Sequence, residues 1–262
     1  ARRTSLSGMA AMGATPWVYT LSLSLGPVIK GTLDQWLTSF VKGLKKDQDK
    51  YDVGLVGGDT VTGSGPTMIS ITILGRADPR GVITRNGASV YDDIYVSGTI
   101  GDSAAGLKII KEPVNYLADS DQLYLKCRYY LPNPRVKLGQ ALVGIASAAM
   151  DISDGLIQDL GHLCSASSLG AIVNWPMLPL SKGVEQLLHK KTIPTSLIVN
   201  GGDDYELLFT APKRLRTKVE AIAKASDVVV TRIGHMINGS GVSLLDKTDR
   251  LINSIGTGFK HD

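Results

Sequence analysis

Four apolar runs in this chain each end on a short segment that sets aspartate beside glycine: "GGDT" at 57–60, "GTIGDS" at 98–103, "DISDG" at 151–155 and "NGGDDYE" at 200–206. Glycine admits backbone conformations closed to other residues, and aspartate caps helices and turns. One such junction is turn punctuation. Four of them, each after a strand-like run, call for a layered scaffold whose strand-end loops collect binding groups.

The intervening pattern agrees. A helix over Ser5 to Met12 leads through a turn at Gly13 to Pro16 into an alternating strand, Trp17 to Leu25. "TLDQWLTSFVKGLKK" places Leu33, Trp36, Leu37, Phe40, Val41 and Leu44 at spacings of three and four, with Thr32 as N-cap. "YDVGLVGGDT" and "TMISITILGRA" read as strands, and "DPRGVITRNGASVYDD" as a turn-rich boundary. Beyond it strands alternate with helices: "DIYVSG", "SAAGLKII", helices over 119–130 and 135–147, "GAIVNW", "GVEQLLHK", a long strand "SLIVNGGDDYELLFTA", helix "KRLRTKVEAIAKA", then "VVVTRIG" and "GVSLLD". The fold class is α/β with α+β layers, in two domains, 1–80 and 81–262.

Composition narrows the function classes. Among 262 residues, 43% hydrophobic and 20% charged, the net charge is only +4 and the basic residues are scattered, so neither a nucleic-acid surface nor a disordered chain is indicated. The charge-free stretch Thr4 to Ile29 follows Arg2 and Arg3, as in a signal peptide. It is broken by Gly8, Gly13, Pro16 and Gly26, and reads as helix, turn and strand rather than a membrane span. Cys127 and Cys164 are isolated, which suggests buried thiols in a reducing, cytoplasmic setting. The four histidines are dispersed, and no P-loop motif occurs.

Asp-rich, Gly-rich and His-poor junctions suit magnesium-dependent phosphate chemistry. Mg²⁺ takes hard oxygen ligands, needs one or two carboxylates from a loop, and completes its octahedron with phosphate and water. In "SDGLIQDLGHL" the amides after Ser153 lie at a helix start, with Asp151 and Asp154 beside them. Asp159 lies deeper in the helix and reads as a structural or solvated acid, and His162 as structural. Asp102 is either an N-cap or a site residue. Capping remains the plain alternative for Asp151 and Asp154. Phosphoryl transfer to an acceptor that is already anionic needs positioning and charge neutralisation more than a base, which matches this residue set.

The blocks "LSGMAAMGATP", "LVGGDTVTG", "ITRNGASVYDDIYVSGTIGDSAAGL", "PRVKLGQAL", "AMDISDGLIQDLGHL" and "GGDDYELLFT" together resemble the thiamine-monophosphate kinase family of the aminoimidazole-ribonucleotide synthetase-like (PurM-like) superfamily. The resemblance implies a two-domain PurM-like fold and transfer of the γ-phosphoryl of ATP to thiamine monophosphate, with Mg²⁺. It implies Asp59, Asp151 and Asp154 as metal ligands, and Tyr51, Gly58, Arg85 and Ser153 on the nucleotide side. Asp203, where the family usually has Glu, and Phe259 fall on the thiamine side. The family pattern also contains an amino-terminal segment with further metal-binding acids, and an Asp where this chain has Gly8. The site is therefore expected to lack ligands, and the homodimer that the family builds through its amino-terminal domain is in question. Two alternatives stay open: another ATP-using synthetase of the superfamily, and a non-catalytic remnant that binds nucleotide.

Overall fold

In the computed structural model, residues 2–27 and 32–252 are described. The chain opens with α1 (Arg2–Ala11), β1 (Thr15–Leu25), α2 (Leu33–Tyr51), β2 (Gly54–Thr62) and β3 (Met68–Arg76). The strands form a sheet ordered β2-β1-β3, with β2 parallel and β3 antiparallel to β1. The Thr32 hydroxyl caps α2, accepting the Gln35 N–H, while the Gln35 side chain reaches back to the Thr32 N–H. That reciprocal box marks the start of the helix, where Thr32 was expected as N-cap. Tyr19, Leu6, Val53 and Ile73 make a small core under this sheet.

After the turn-rich segment come β4 (Asp93–Ser97), α3 (Asp102–Lys111), α4 (Asp119–Tyr130), α5 (Val136–Leu142), β5 (Ala148–Asp151), α6 (Leu156–Ser167), β6 (Gly170–Asn174), α7 (Lys182–His189), α8 (Thr195–Asn200), β7 (Leu207–Ala211), α9 (Arg216–Ala225), β8 (Val230–Ile237) and β9 (Gly241–Leu245). Their strands form a six-stranded sheet, β5-β7-β4-β8-β6-β9. Strand β4 is buried on both faces. Ile94 and Val96 enter a core with Leu156, Leu160 and Leu125, while Tyr95 faces Phe209, Leu138 and Val219. Period-two alternation explains the split, and two covered faces explain the unbroken apolar run. Each large aliphatic side chain fully buried here contributes about 1.5–3 kcal/mol. The stacked rings of Tyr95 and Phe209, 5.1 Å apart, add to the second core.

Helix α1 joins the two sheets. Its Leu6 belongs to the small core and its Ala10 and Ala11 to the core behind the large sheet. Small residues let the backbones meet there: a Cβ on Gly139 of α5 would lie 1.9 Å from the Ala10 carbonyl oxygen.

Three local expectations change. The long strand over 196–211 is helix α8, an irregular segment 201–206 and the short strand β7. Ile198 and Val199 are β-branched, but burial against the large core outweighs their strand preference. The expected helix over 135–147 stops at Leu142, before Gly144 at φ +77°. Cys164 is buried as anticipated, whereas Cys127 is exposed on α4.

Candidate functional site

Three of the four Gly-Asp junctions meet beyond the same end of the large sheet. Strands β4 and β5 both run antiparallel to β7, so the loops after Ser97 and Asp151 lie beside the segment that leads into Leu207. Segments 151–155 and 201–206 run side by side as an extra rung of pairing. The Asp203 N–H donates to Ser153 O and the Tyr205 N–H to Ile152 O, both at 2.8 Å, and the Ile152 N–H donates to Glu206 O at 2.9 Å. Glycine makes the approach possible, since a Cβ on Gly202 would lie 2.2 Å from the Ser153 carbonyl oxygen.

Asp159, in the first turn of α6, holds the first loop in shape. One of its oxygens accepts the N–H groups of Ser153, Asp154 and Gly155 at 2.9, 3.0 and 3.2 Å. Burial pushes its pKa up to about 7 against the pull of those amides, with the Asp154 charge adding to the rise. Asp159 is thus a structural acid and not a solvated one. Burial also raises Asp151, while the Ser7 hydroxyl and the Arg85 charge pull the other way. Ser7 Oγ is itself buried without an aligned hydrogen-bond partner. Asp154, Asp159 and exposed His162 each present a ligand atom within 4.8 Å of the others. The carboxylate oxygens of Asp151 and Asp154 are the hard donors that suit Mg²⁺, whereas the His162 imidazole is not.

The loop divides two clefts. One, of about 620 Å³, lies between α1, segment 82–86 and β5, with Ser5, Gly8, Met12, Arg85 and Asp151 in its wall. The other, of about 420 Å³, is lined by Ser103, Tyr129, Ser153, Asp154, Asp203 and Tyr205. Arg85 and Asp151 thus share the first cleft, and Ser153, Asp154 and Asp203 the second. Asp203 adopts φ +67°, and its carboxylate accepts the Tyr205 hydroxyl at 2.9 Å.

The remaining sequence candidates lie elsewhere. Asp59 is exposed on β2, where its side chain accepts the Thr60 N–H, and lines a recess of about 220 Å³ with Ser22, Ser24 and Ser70. Gly58 beside it has no space for a side chain, because a Cβ would lie 1.8 Å from Leu21 O. Tyr51 packs partly on the small core, its hydroxyl 3.4 Å from Asn133 Oδ1. Phe259 lies outside the described residues.

Sequence reasoning missed the buried charge network beneath the loops. Fully buried Glu206 takes hydrogen bonds from Arg128 at 2.9 Å, from Arg135 through two at 2.7 Å, and from Ser97. Asp204, also fully buried, accepts the N–H groups of Gly101 and Ser103 at 2.7 and 3.1 Å and so caps α3 from a distant part of the chain. Asp102, read as a possible N-cap, is not one. Gly101 occupies that position, and Asp102 is buried, accepting from Tyr124 at 3.0 Å and lying 3.7 Å from Arg128. The available signal was a Glu inside the apolar run "YELLF", which burial obliges to find cationic partners.

Residues 3–77 match the family model "AIR synthase related protein, N-terminal domain", and residues 92–247 its C-terminal domain. A thiamine-monophosphate kinase of Haemophilus influenzae is 41% identical over 233 residues, 89% of this chain and 69% of that protein. A crystal structure of thiamine-monophosphate kinase from Stenotrophomonas maltophilia K279a superposes with a TM-score of 0.84 at 37% identity, over 93% of this chain and 76% of that one. AaThiL complexed with AMPPCP and TMP superposes with a TM-score of 0.81 at 29% identity, over 96% and 76% of the two chains.

Proposed function

The chain belongs to the thiamine-monophosphate kinase family, and from that premise we propose that it transfers the γ-phosphoryl group of ATP to thiamine monophosphate, forming thiamine diphosphate. The observation that carries this reading is the carboxylate loop between two clefts, with Arg85 on one side and Asp203 on the other. A phosphate oxygen of the acceptor attacks the γ-phosphorus, and the bond from that phosphorus to the β–γ bridging oxygen breaks, leaving ADP. The acceptor is ionised already, so the protein's task is orientation and charge neutralisation. Arg85 supports the nucleotide phosphates. The Ser153 side chain, on the loop whose amides Asp159 holds in place, faces the transferring group, and Asp203 faces the cationic thiamine side. Asp151 and Asp154 would hold Mg²⁺, which neutralises phosphate charge when bound, and Asp59, Gly58 and Tyr51 extend the nucleotide side.

The direct test is ADP release in the presence and absence of thiamine monophosphate, with thiamine diphosphate identified as product. Turnover that thiamine monophosphate does not stimulate would favour another synthetase of the superfamily, or nucleotide binding alone. Gly8 bears on the rate. It lines the cleft beside Asp151, and a Cβ added there meets nothing within 4 Å. Gly8→Asp is expected to raise turnover by roughly tenfold, since it would add a carboxylate to hold the Mg²⁺ that neutralises the transferring phosphate. Magnesium binding is checked separately: ATP with Mg²⁺ should raise the melting temperature, and Asp151→Ala should abolish most of that shift.

We further infer a homodimer formed through the three-stranded sheet, whose outer face exposes Val61, Met68 and Leu74. A cytoplasmic setting accords with the two free cysteines. Among the described residues no helix is long and apolar enough to cross a membrane. Domain limits of 1–80 and 81–262 remain our proposed division.

A further inference from the structure

At the opposite end of the large sheet from the carboxylate loop, a pocket of about 310 Å³ opens between the start of β4, strand β8 and the start of α9. Its ionisable lining is Asp93, Lys213, Arg216, Arg232 and His235. Asp93 is buried, and Arg216 grips it through two hydrogen bonds of 2.6 and 2.8 Å. One guanidinium in that fork geometry satisfies a carboxylate. Arg232 reaches the same carboxylate only at 3.4 Å through one nitrogen. The Lys213 ammonium lies over the Tyr91 ring, 5.6 Å from its centre. Three cations against one carboxylate leave positive charge that Asp93 does not account for.

Backbone irregularities assemble this lining. In the pairing of β4 with β8, Asp93 faces His235 and Tyr95 faces Arg232, with the register shifting between them. Residues 232 and 235 would point to opposite faces of a regular strand. The bulge turns both towards Asp93, and bulges commonly re-aim side chains next to binding sites. At the rim, Tyr91 is 63% exposed and held at φ +70°, an unusual conformation for an aromatic residue. Two 2.9 Å hydrogen bonds fix the segment, from Tyr91 N–H to Met236 O and from Met236 N–H to Asp92 O. Strain of this kind collects at ligand clamps.

We propose that this pocket binds the phosphate group of a small molecule, with Lys213, Arg232 and His235 as donors and Arg216 anchored on Asp93 as the pocket's fixed wall. The site is separate from the phosphoryl-transfer clefts, and none of its lining residues belongs to them.

The test is calorimetric titration of the full chain with inorganic phosphate in EDTA, at matched ionic strength, so that no divalent cation holds phosphate at the carboxylate loop. Saturable binding is expected, weakened about fivefold by Lys213→Gln and again by Arg232→Gln, and unchanged by Asp151→Ala. Absence of saturable binding, or binding insensitive to both substitutions, overturns the proposal. If Arg232→Gln fails to fold, Lys213→Gln decides alone, because its ammonium contacts the Tyr91 ring and not a carboxylate. Phenyl phosphate in a parallel titration separates the sources. Tighter binding than inorganic phosphate, lost in Tyr91→Ala, assigns an ester; equal binding assigns the free ion. Both outcomes leave a phosphate group in the pocket.

Discussion

Asp204 shows how a single buried acid can shape this site without touching a ligand. Both of its oxygens accept backbone amides at the start of α3, and burial, reinforced by the Asp102 charge, pushes its pKa up to about 7 from 3.8. A folded-state pKa above the unfolded value means that the unfolded chain loses its proton first. The stabilising contribution is therefore full below pH 3.8 and disappears as pH rises through about 7. The melting temperature is expected to fall across that window, and Asp204→Asn should flatten this part of the profile. The substitution has its own cost of about 1–3 kcal/mol, since one backbone N–H would then face an amide NH₂. Thermal unfolding of both proteins across the pH series checks the sign; a wild-type midpoint that rises through the window would contradict it. Asp151, Asp154 and Ser153 were legible as site candidates because each stands in a strand-end loop. Asp204 and Glu206 were not, because their role depends on Gly101, Ser103, Arg128 and Arg135, which pairing in space brings to them.

Among the elements, segment 201–206 is the most consequential departure from the sequence pattern. Its apolar neighbours suggested one long strand, yet the backbone leaves β geometry for an arrangement that rests on segment 152–153. Positive φ at Asp203 and Tyr205 supplies the turns, and nothing in the residue types announces it. By contrast α2, with Thr32 at its N-cap and apolar residues at spacings of three and four, and the alternation of β1 and β3 were readable, because those signals are local. Gly202 tests the docked segment. With a Cβ 2.2 Å from Ser153 O, Gly202→Ala must separate the two segments and break the hydrogen bond from Asp203 N–H to Ser153 O. The expected loss is about 1–3 kcal/mol of stability and a larger loss of turnover, because Asp203 and Ser153 shift together. Hydrogen exchange should quicken at the Asp203 and Tyr205 amides and remain unchanged in β1. Equal quickening across both sheets would instead mean global destabilisation.

At the scale of the whole molecule, the two sheets differ in how completely they are covered. The central strands β4 and β7 of the large sheet are buried on both faces, whereas β2 is exposed along its whole length and β3 along most of it. Cross-strand partners share a face, so the pairing of Ser22 with Asp59 and Ser70, and of Ser24 with Val61 and Met68, defines an outer surface. Hydroxyls and the Asp59 carboxylate occupy its middle, and Val61, Met68 and Leu74 expose apolar area around them. Exposed apolar residues grouped on one sheet face mark an association surface, and a two-fold axis would set this face against its own copy. Such an interface would also enclose Asp59, which in the single chain lines only an open recess. Sedimentation velocity should therefore report a dimer. Met68→Lys placed in both subunits should weaken association by roughly tenfold or more, since the charge would lose water in the interface, while leaving the single chain folded because Met68 is exposed there. If association depends on this face and activity depends on Asp59, Met68→Lys should lower turnover at dilute protein and recover it as concentration rises. A monomer with full turnover at every concentration would remove both the interface and the role given to Asp59.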